Sequence, residues 1–223
     1  MNCVITYIFG KNKEKLHEPL VIDPDTEYLC ITDQQDLKSK HWKIVYDPMP
    51  GVSSLRDKMA MTKYNPFKYT KADYILTMDG TLQIKTSILP LIQKFKDFDI
   101  GLKLHPKRDN LAKELPAWKP RGLTEAIIQR FHTMAKIDGL NLNTVRLYET
   151  SCMIYKNNDL CRYIGEENLD YMKILGTGGN MIITNQCPFS YIMTKDYSNA
   201  KVFLMKEQDW FNRFGHNSGN KKS

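Results

Sequence analysis

The segment at residues 72–84, ADYILTMDGTLQI, constrains the fold of this chain more than any other. Its apolar, aromatic-bearing run is typical of a buried β-strand, and the run stops abruptly at Asp79 and Gly80. In open α/β sheets, ligands bind beyond the carboxyl ends of the strands, where Asp79 would meet a metal ion or a ligand hydroxyl. Asp-Gly between two apolar runs is also a strong β-hairpin signal. The segment alone leaves a hairpin and a ligand site open, and the two are compatible.

Strand-like and helix-like runs alternate along the sequence. Strands are predicted at residues 4–9, 28–32, 42–46, 74–78, 99–104, 153–155 and 201–205. Helices are predicted at residues 55–64, 87–96, 123–137 and 159–175. This alternation is typical of an α/β fold, in which helices flank a sheet. We expect one domain over residues 1–214, with a Pro/Lys-rich surface crossing at 114–122, and a polar tail at 215–223 that would act as a lid.

The composition is that of an ordinary globular protein, with 42% hydrophobic and 26% charged residues. No run approaches the roughly 18 apolar residues of a membrane span, and the first residues lack the features of a signal peptide. The five cysteines are odd in number and form no CxxC pair. This pattern favours reduced thiols over a disulfide framework or a structural zinc site, so we expect a cytoplasmic protein.

The net charge of +7 is dispersed, with 17 Lys and Arg against 14 Asp and Glu over residues 1–110, and 15 against 11 thereafter. A nucleic-acid-binding protein more often concentrates its cations in a stripe interleaved with aromatic residues. We therefore expect no nucleic-acid partner. A mild, dispersed excess fits an anionic small substrate, or peripheral contact with an acidic inner membrane surface.

Several short motifs, in order, resemble one protein family. They are ITYIFG at 5–10, KLHEP at 15–19, YLCITD at 28–33, WKI at 42–44, YILTMDG at 74–80, HPKR at 105–108, LYE at 147–149 and NQCPFSY at 185–191. Their order and spacing are similar to those of the glycosyltransferase-like proteins related to the TOD1/MUCI70 domain. The resemblance implies a GT-A fold, in which a mixed α/β sheet flanked by helices binds a nucleotide-sugar.

Two positions depart from that family's pattern. A full DxD motif would have aspartate at position 77, where this chain has Thr77. Thr184 and Asn185 stand where the pattern has Arg-Asp before the glutamine. The first change weakens the expectation of ribose contact, and the second removes a guanidinium and a carboxylate from the expected active site.

The resemblance also implies a metal site. Departure of a nucleoside diphosphate requires its developing charge to be neutralised, and a divalent ion such as Mn²⁺ or Mg²⁺, held by carboxylate and imidazole ligands, does this as a Lewis acid. Asp79 is the expected ligand from the sheet. HNSGNK at 216–221 is similar to the HxxGxxK ending of glycogenin-like and bacterial galactosyltransferases, which makes His216 the second ligand and Lys221 a diphosphate contact. The alternative is a chance pattern in a polar tail.

Three residues are candidates for the transfer chemistry. Gln186, together with Asn185, resembles the DQ motif beside the anomeric carbon in those galactosyltransferases. As an amide, Gln186 would stabilise charge or orient the acceptor, but it has no basic group. The alternative is a helix that starts at Gln186 with Asn185 as its N-cap. Glu149, placed after an apolar strand, is the acid/base or acceptor-contact candidate, unless it is merely solvated.

Four further residues are candidates for substrate contacts. His105 and Arg108 follow a predicted strand and would bind an acceptor or a phosphate, or form an exposed basic turn. Lys63 lies on the helix before the key strand and would face the nucleotide, or solvent. Asp33, after the second strand, would contact the base or ribose, or simply form a turn.

The leading hypothesis is a metal-dependent glycosyltransferase that moves a hexosyl group from a nucleoside-diphosphate sugar to a glycan or lipid-linked acceptor in surface-polysaccharide synthesis. The second is a catalytically inactive protein that binds a nucleotide-sugar or forms a complex, which the missing aspartates favour. A nucleic-acid-binding module is the least favoured.

Overall fold

The computed structural model describes residues 1–10 and 15–214. The strands in this part of the chain are β1 (Asn2–Ile8), β2 (Thr26–Thr32), β3 (Lys43–Tyr46), β4 (Tyr74–Asp79), β5 (Leu82–Ile84), β6 (Ile100–Leu104), β7 (Tyr148–Lys156), β8 (Val202–Leu204) and β9 (Phe211–Arg213). The helices are α1 (Leu55–Tyr64), α2 (Leu89–Phe95), α3 (Leu111–Ala117), α4 (Glu125–Ile137), α5 (Asp159–Ile174) and α6 (Gln186–Lys195).

Seven of the strands form one mixed sheet in the order β3-β2-β1-β4-β7-β6-β8. Strands β1, β2, β3 and β4 run parallel to one another, and β8 runs parallel to β6. Strand β7 runs antiparallel to both β4 and β6. The sheet is therefore mainly parallel, and each strand predicted from the sequence belongs to it.

The central strands are apolar because both faces of the sheet are covered. Along β1, Ile5 and Tyr7 pack into one core with Tyr64 of α1, whereas Val4 and Ile8 pack into a second core with α2. Four helices begin at residues whose side chains accept a hydrogen bond from the backbone N–H three residues on, namely Ser54, Asn110, Thr124 and Asn158. Three of these helices, α1, α4 and α5, were predicted from the sequence, and their observed starts agree with the predicted ones to within two residues.

The predicted hairpin at Asp79 and Gly80 is wrong. Strand β4 lies between β1 and β7 in the main sheet, whereas β5 pairs with β9 in a separate two-stranded sheet. Beside this pairing, the backbone N–H of Phe214 donates to the carbonyl of Thr81 at 2.8 Å. The last described residue therefore lies next to Thr81, which follows Asp79, the end of β4, by two residues.

The predicted surface crossing at residues 114–122 is also wrong. Its first residues belong to α3, and a 3₁₀ turn (Lys119–Arg121) follows. Glu114 is fully buried. The Pro and Lys residues concealed a helix whose apolar positions, Leu111 and Leu115, are four residues apart.

All five cysteines are buried and free, in line with the prediction of reduced thiols. Within residues 1–10 and 15–214, no helix is both long and apolar enough to cross a membrane. The predicted tail at 215–223 lies outside the described residues, and the single domain over 1–214 stays a prediction.

Candidate functional site

Polar residues from several strands meet at one edge of the main sheet. The carboxyl ends of β1, β2, β4 and β6 lie at this edge, and antiparallel β7 begins there. Glu149 is the second residue of β7, so it opens a strand instead of following one as predicted. It reaches the expected edge nevertheless, because β7 runs in the opposite direction.

Two adjacent pockets open at this edge. The first pocket has a volume of about 180 Å³, and its polar lining comprises Tyr7, Arg56, Lys63, Asp79, Trp118 and Asn185. The second pocket has a volume of about 420 Å³ and contains Glu149, Gln186, His105 and Arg108 among its lining residues. Trp118 lines both pockets, and the consecutive residues Asn185 and Gln186 line one each. The pockets therefore share a boundary.

An ion pair joins helix α1 to the end of β4 in the first pocket. The Nζ atom of Lys63 lies 2.9 Å from Oδ1 of Asp79, and the same oxygen accepts a hydrogen bond from the hydroxyl of Tyr7. The side chain of Lys63 is only 5% exposed, whereas that of Asp79 is 30% exposed. A lysine this deeply buried requires a partner, and the carboxylate supplies it.

The described residues around Asp79 do not by themselves fit a divalent ion. No cluster of three or more His, Cys, Asp or Glu side chains suited to a metal occurs in residues 1–10 or 15–214. The ammonium of Lys63 also lies against the oxygen that a metal would use. His216, the predicted second ligand, and Lys221 lie outside the described residues. The expectation of Mn²⁺ or Mg²⁺ thus stays a prediction that depends on the tail.

Position 77 does not face the pocket. Thr77 is completely buried within β4, and its neighbours in the sheet are Ile5 and Met153. An aspartate there would lie in the apolar core, at a high cost in desolvation. The absence of an acidic residue at 77 therefore removes nothing from the surface of the first pocket, although the family resemblance implied that it weakens ribose contact.

Asp33 is used elsewhere. Its Oδ1 accepts from the backbone N–H of Gly10 and its Oδ2 from Nζ of Lys58, both at 2.9 Å. Burial raises the pKa of this carboxyl, but these two donors outweigh burial and hold the pKa below its ordinary value. Asp33 lines neither pocket. It instead links the end of β2 to the end of β1 and to α1.

Asn185 occupies the N-cap position of α6 without capping it. Its side chain makes no hydrogen bond to the helix backbone, and its Oδ1 instead accepts from the hydroxyl of Thr150 at 2.9 Å. The predicted capping role is therefore wrong, because the amide is turned towards β7. This contact holds Asn185 in the lining of the first pocket.

Glu149 belongs to a cluster of two carboxylates and two cations. Its Oε2 lies 2.8 Å from Nζ of Lys103, and its Oε1 lies 2.6 Å from Nη2 of Arg213. Glu207 binds the same two cations. Burial raises the pKa of Glu149, but Lys103 and Arg213 outweigh it and hold the pKa below the ordinary value. Glu149 is therefore ionised at neutral pH, which suits a structural or binding role better than that of a proton donor.

Glu114 organises the floor of the second pocket. Its buried carboxylate accepts hydrogen bonds from the side chains of Arg108, Trp118 and Gln186. The residue types around Glu114 did not predict this role, because Glu114 lies within a Pro/Lys-rich stretch. The available signal was its place beside Leu111 and Leu115 on the apolar face of a short helix.

His105 is held in one tautomer. Its Nδ1 accepts from the backbone N–H groups of Lys107 at 3.3 Å and Arg108 at 3.0 Å, so the neutral ring carries its proton on Nε2. Burial lowers the pKa of His105, Arg108 and Lys103 add to this effect, and the two nearby glutamates oppose it. The side chain is consequently a neutral N–H donor at neutral pH.

The structure thus brings the predicted residues together in two groups. Asp79, Lys63 and Asn185 line the first pocket, and Gln186, Glu149, His105 and Arg108 line the second. Sequence reasoning did not single out Glu114, Trp118, Glu207 or Arg213. Arg213 belongs to β9, and Glu207 belongs to the turn before it. No local pattern indicates that β9 pairs with β5.

A solved structure has a similar overall fold. The crystal structure of mouse xyloside xylosyltransferase 1, in its apo form, matches 92% of this chain and 85% of its own, with a TM-score of 0.51 and 10% sequence identity. The fold is glycosyltransferase-like. This confirms the predicted fold class, an α/β mixed sheet of GT-A type flanked by helices. No protein-family model and no curated protein matches by sequence, so membership of the TOD1/MUCI70-related family stays a prediction.

Proposed function

We propose that this protein is a glycosyltransferase that takes its sugar from a nucleoside-diphosphate donor bound in the first pocket. The observation that carries the proposal is the Lys63–Asp79 ion pair, which lies at the carboxyl edge of a glycosyltransferase-like sheet. Ligands of open α/β sheets bind at this edge. The match to mouse xyloside xylosyltransferase 1 supports glycosyl transfer in general and leaves the sugar open.

The first pocket supplies positive charge where a diphosphate would leave. Lys63 and Arg56 both line it, and Asp79 fixes the ammonium of Lys63 in position. Preorganised cations stabilise the negative charge that develops on a departing phosphate, because they need no rearrangement during the reaction. We assign to Lys63 and Arg56 the neutralisation of the leaving group, and to Asp79 the positioning of Lys63.

We infer that the second pocket holds the acceptor. It meets the first pocket at Trp118 and at the Asn185–Gln186 step, so a sugar bound at this boundary would face groups in both. The hydrogen bond to Glu114 holds the Gln186 side chain in place, which favours a role in orienting the acceptor hydroxyl. A glycan or lipid-linked acceptor from surface-polysaccharide synthesis remains the expectation from the sequence resemblance.

The test combines binding with turnover. Thermal-shift screening of the full chain against UDP-, GDP-, ADP- and dTDP-sugars, with and without Mn²⁺, should show stabilisation by one class of donor, because a ligand stabilises only the state that binds it. Slow release of free sugar from that donor should follow. Absence of both stabilisation and hydrolysis across the panel would overturn the proposal.

A nucleotide-sugar-binding protein without activity is the second candidate. The observation that favours it is the engagement of Glu149 by Lys103 and Arg213, which occupies both oxygens of this carboxylate and leaves neither free to take the proton of an acceptor hydroxyl. Stabilisation by a donor without any hydrolysis or transfer would identify this function.

A further inference from the structure

The second pocket is strongly basic. Its lining contains only two carboxylates, Glu114 and Glu149, against five cationic residues: Lys103, Lys107, Arg108, Arg121 and Arg213. Five cations against two anions give the lining a formal charge of +3, with His105 neutral. The third nearby carboxylate, Glu207, reduces this to +2. A concave surface with low-dielectric walls concentrates such a charge and attracts anions.

The cations divide into two kinds. Lys103, Arg108 and Arg213 are engaged by carboxylates in and beneath the pocket. Lys107 and Arg121 are exposed, and neither has a carboxylate partner within residues 1–10 or 15–214. The guanidinium of Arg121 instead lies 4.7 Å from the centre of the Trp118 ring. The aromatic ring orients the guanidinium, and the N–H donors of Arg121 remain available to an oxyanion.

The pocket also offers neutral donors and an aromatic surface. His105 carries its proton on Nε2, because Nδ1 accepts two backbone N–H groups. Trp118, which separates the two pockets, is fixed by its bond from Nε1 to Glu114. Charged donors, neutral donors and an indole together fit a sugar ring that carries an acidic group better than they fit a neutral sugar.

We propose that the second pocket binds an anionic saccharide, a sugar bearing a carboxylate or a phosphate, as the acceptor. Lys107 and Arg121 bind the acidic group, and the boundary at Trp118 places the sugar against the donor in the first pocket. The role as acceptor rests on the proposed function, whereas the binding of an anionic saccharide is measurable without it.

The experiment measures binding to the full chain by isothermal titration calorimetry, at millimolar concentrations of glucuronic acid, glucose 1-phosphate, glucose or inorganic phosphate. The first pocket is saturated beforehand with whichever of UDP, GDP, ADP or dTDP stabilises the protein. We expect both acidic sugars, or one of them, to bind at least about tenfold more tightly than glucose and than inorganic phosphate, since each good charge-assisted contact adds a factor of this order. The preferred acidic sugar then distinguishes a carboxylate from a phosphate.

Two double variants identify the site. Lys107→Gln with Arg121→Gln should weaken binding of the acidic sugar about tenfold or more and leave glucose binding unchanged. Lys71→Gln with Lys136→Gln removes the same charge from exposed positions outside both pockets and should change neither. The nucleotide affinity of each variant shows whether the first pocket is still folded.

Equal binding of glucose and the acidic sugars, or equal losses in the two double variants, would overturn the inference. Inorganic phosphate binding as tightly as glucose 1-phosphate would also overturn it, since the pocket would then be a simple anion site. These outcomes are separate from failure of the proposed function, which would appear as the absence of nucleotide binding and hydrolysis in the wild-type protein.

Discussion

The backbone carbonyl of Tyr64 lies where a side chain at Gly165 would be, since a Cβ built on Gly165 falls 1.9 Å from the Tyr64 oxygen. Helices α1 and α5 therefore approach each other as closely as their backbones allow at this point. The contact fixes the end of α1, which carries Lys63 and so sets the position of the ammonium that binds Asp79.

Gly165→Ala should destabilise the protein although alanine is the better helix former. The roughly 1 kcal/mol gained in helix propensity is outweighed by overpacking against backbone, which costs typically about 1–3 kcal/mol or more. Urea unfolding measures the difference, with Glu166→Ala on the exposed side of α5 as the control, expected within about 0.5 kcal/mol of wild type. A Gly165→Ala protein as stable as wild type would contradict a close contact between Gly165 and the Tyr64 carbonyl.

Lys63→Met should lower the affinity for a nucleoside diphosphate by about ten- to a hundredfold, and the affinity for the parent nucleoside far less. The ammonium is buried beside Asp79 and faces the pocket, so its contribution to phosphate binding is weakly screened by solvent. Isothermal titration measures both affinities, and Lys71→Met removes an exposed lysine as the control. Equal losses for nucleoside and diphosphate would indicate a general disruption of the pocket instead.

The sequence predicts that Mn²⁺ strengthens diphosphate binding through Asp79 and His216. In that case Asp79→Asn and His216→Ala should each abolish the increase in affinity produced by Mn²⁺, while metal-free binding is retained in His216→Ala. Phe214, the last residue that the structure describes, is hydrogen-bonded to Thr81 beside the end of β4, and His216 lies two positions further along the sequence. If chelation leaves the wild-type affinity unchanged, the metal prediction is wrong, and basic side chains alone balance the phosphate charge.

Glu149→Gln should cost stability in a pH-dependent way. The folded protein holds the pKa of Glu149 below its ordinary value, so ionised Glu149 stabilises the fold fully above the unfolded pKa of about 4.3. The contribution is lost as the pH falls through the lower folded value. Because Arg213 is partly exposed, we expect a loss of about 1–3 kcal/mol near pH 7, and much less near pH 3.

Urea unfolding at the two pH values checks this, with the exposed Glu166→Gln as the control. The same loss for Glu149→Gln at both pH values would mean that packing, and not charge, accounts for its effect.

The main sheet was predictable because its strands are short apolar runs buried on both faces, a pattern that is local in sequence. Asp79 was likewise predictable, since a carboxylate after such a run must lie at the sheet edge. The pairing of β5 with β9 was not, because each has three residues and Gln83 meets Asn212 across 129 positions of sequence. That pairing decides whether Asp79 lies in a hairpin or at an open edge.

Glu114 illustrates the same limit within the site. Its residue type and Pro/Lys-rich surroundings are typical of a solvated turn, and its partner Gln186 is 72 residues away. The ion cluster at Glu149 is similar, since Arg213 arrives from β9 across 64 positions. Sequence patterns identified the polar residues that strands carry to the edge, whereas the residues that orient them depend on tertiary packing.

Gln186→Ala separates a catalytic role from a structural one. The amide nitrogen of Gln186 donates to buried Glu114, so its removal leaves a carboxylate short of one donor and should cost about 1–3 kcal/mol of unfolding free energy. If Gln186 also orients the acceptor in the transition state, kcat and kcat/KM should fall together by roughly a hundred- to a thousandfold, with the donor KM nearly unchanged. The donor KM is spared because Gln186 lines only the second pocket.

Gln129→Ala, an exposed amide on α4, is the matched control and should change neither stability nor rate appreciably. Steady-state kinetics and urea unfolding on the same preparations give both quantities. We expect Gln186→Ala to change both, since the residue faces the second pocket while it is held by Glu114. A loss of stability with unchanged kcat would remove Gln186 from the reacting groups and leave it as a partner that positions Glu114 beneath Arg108 and Trp118.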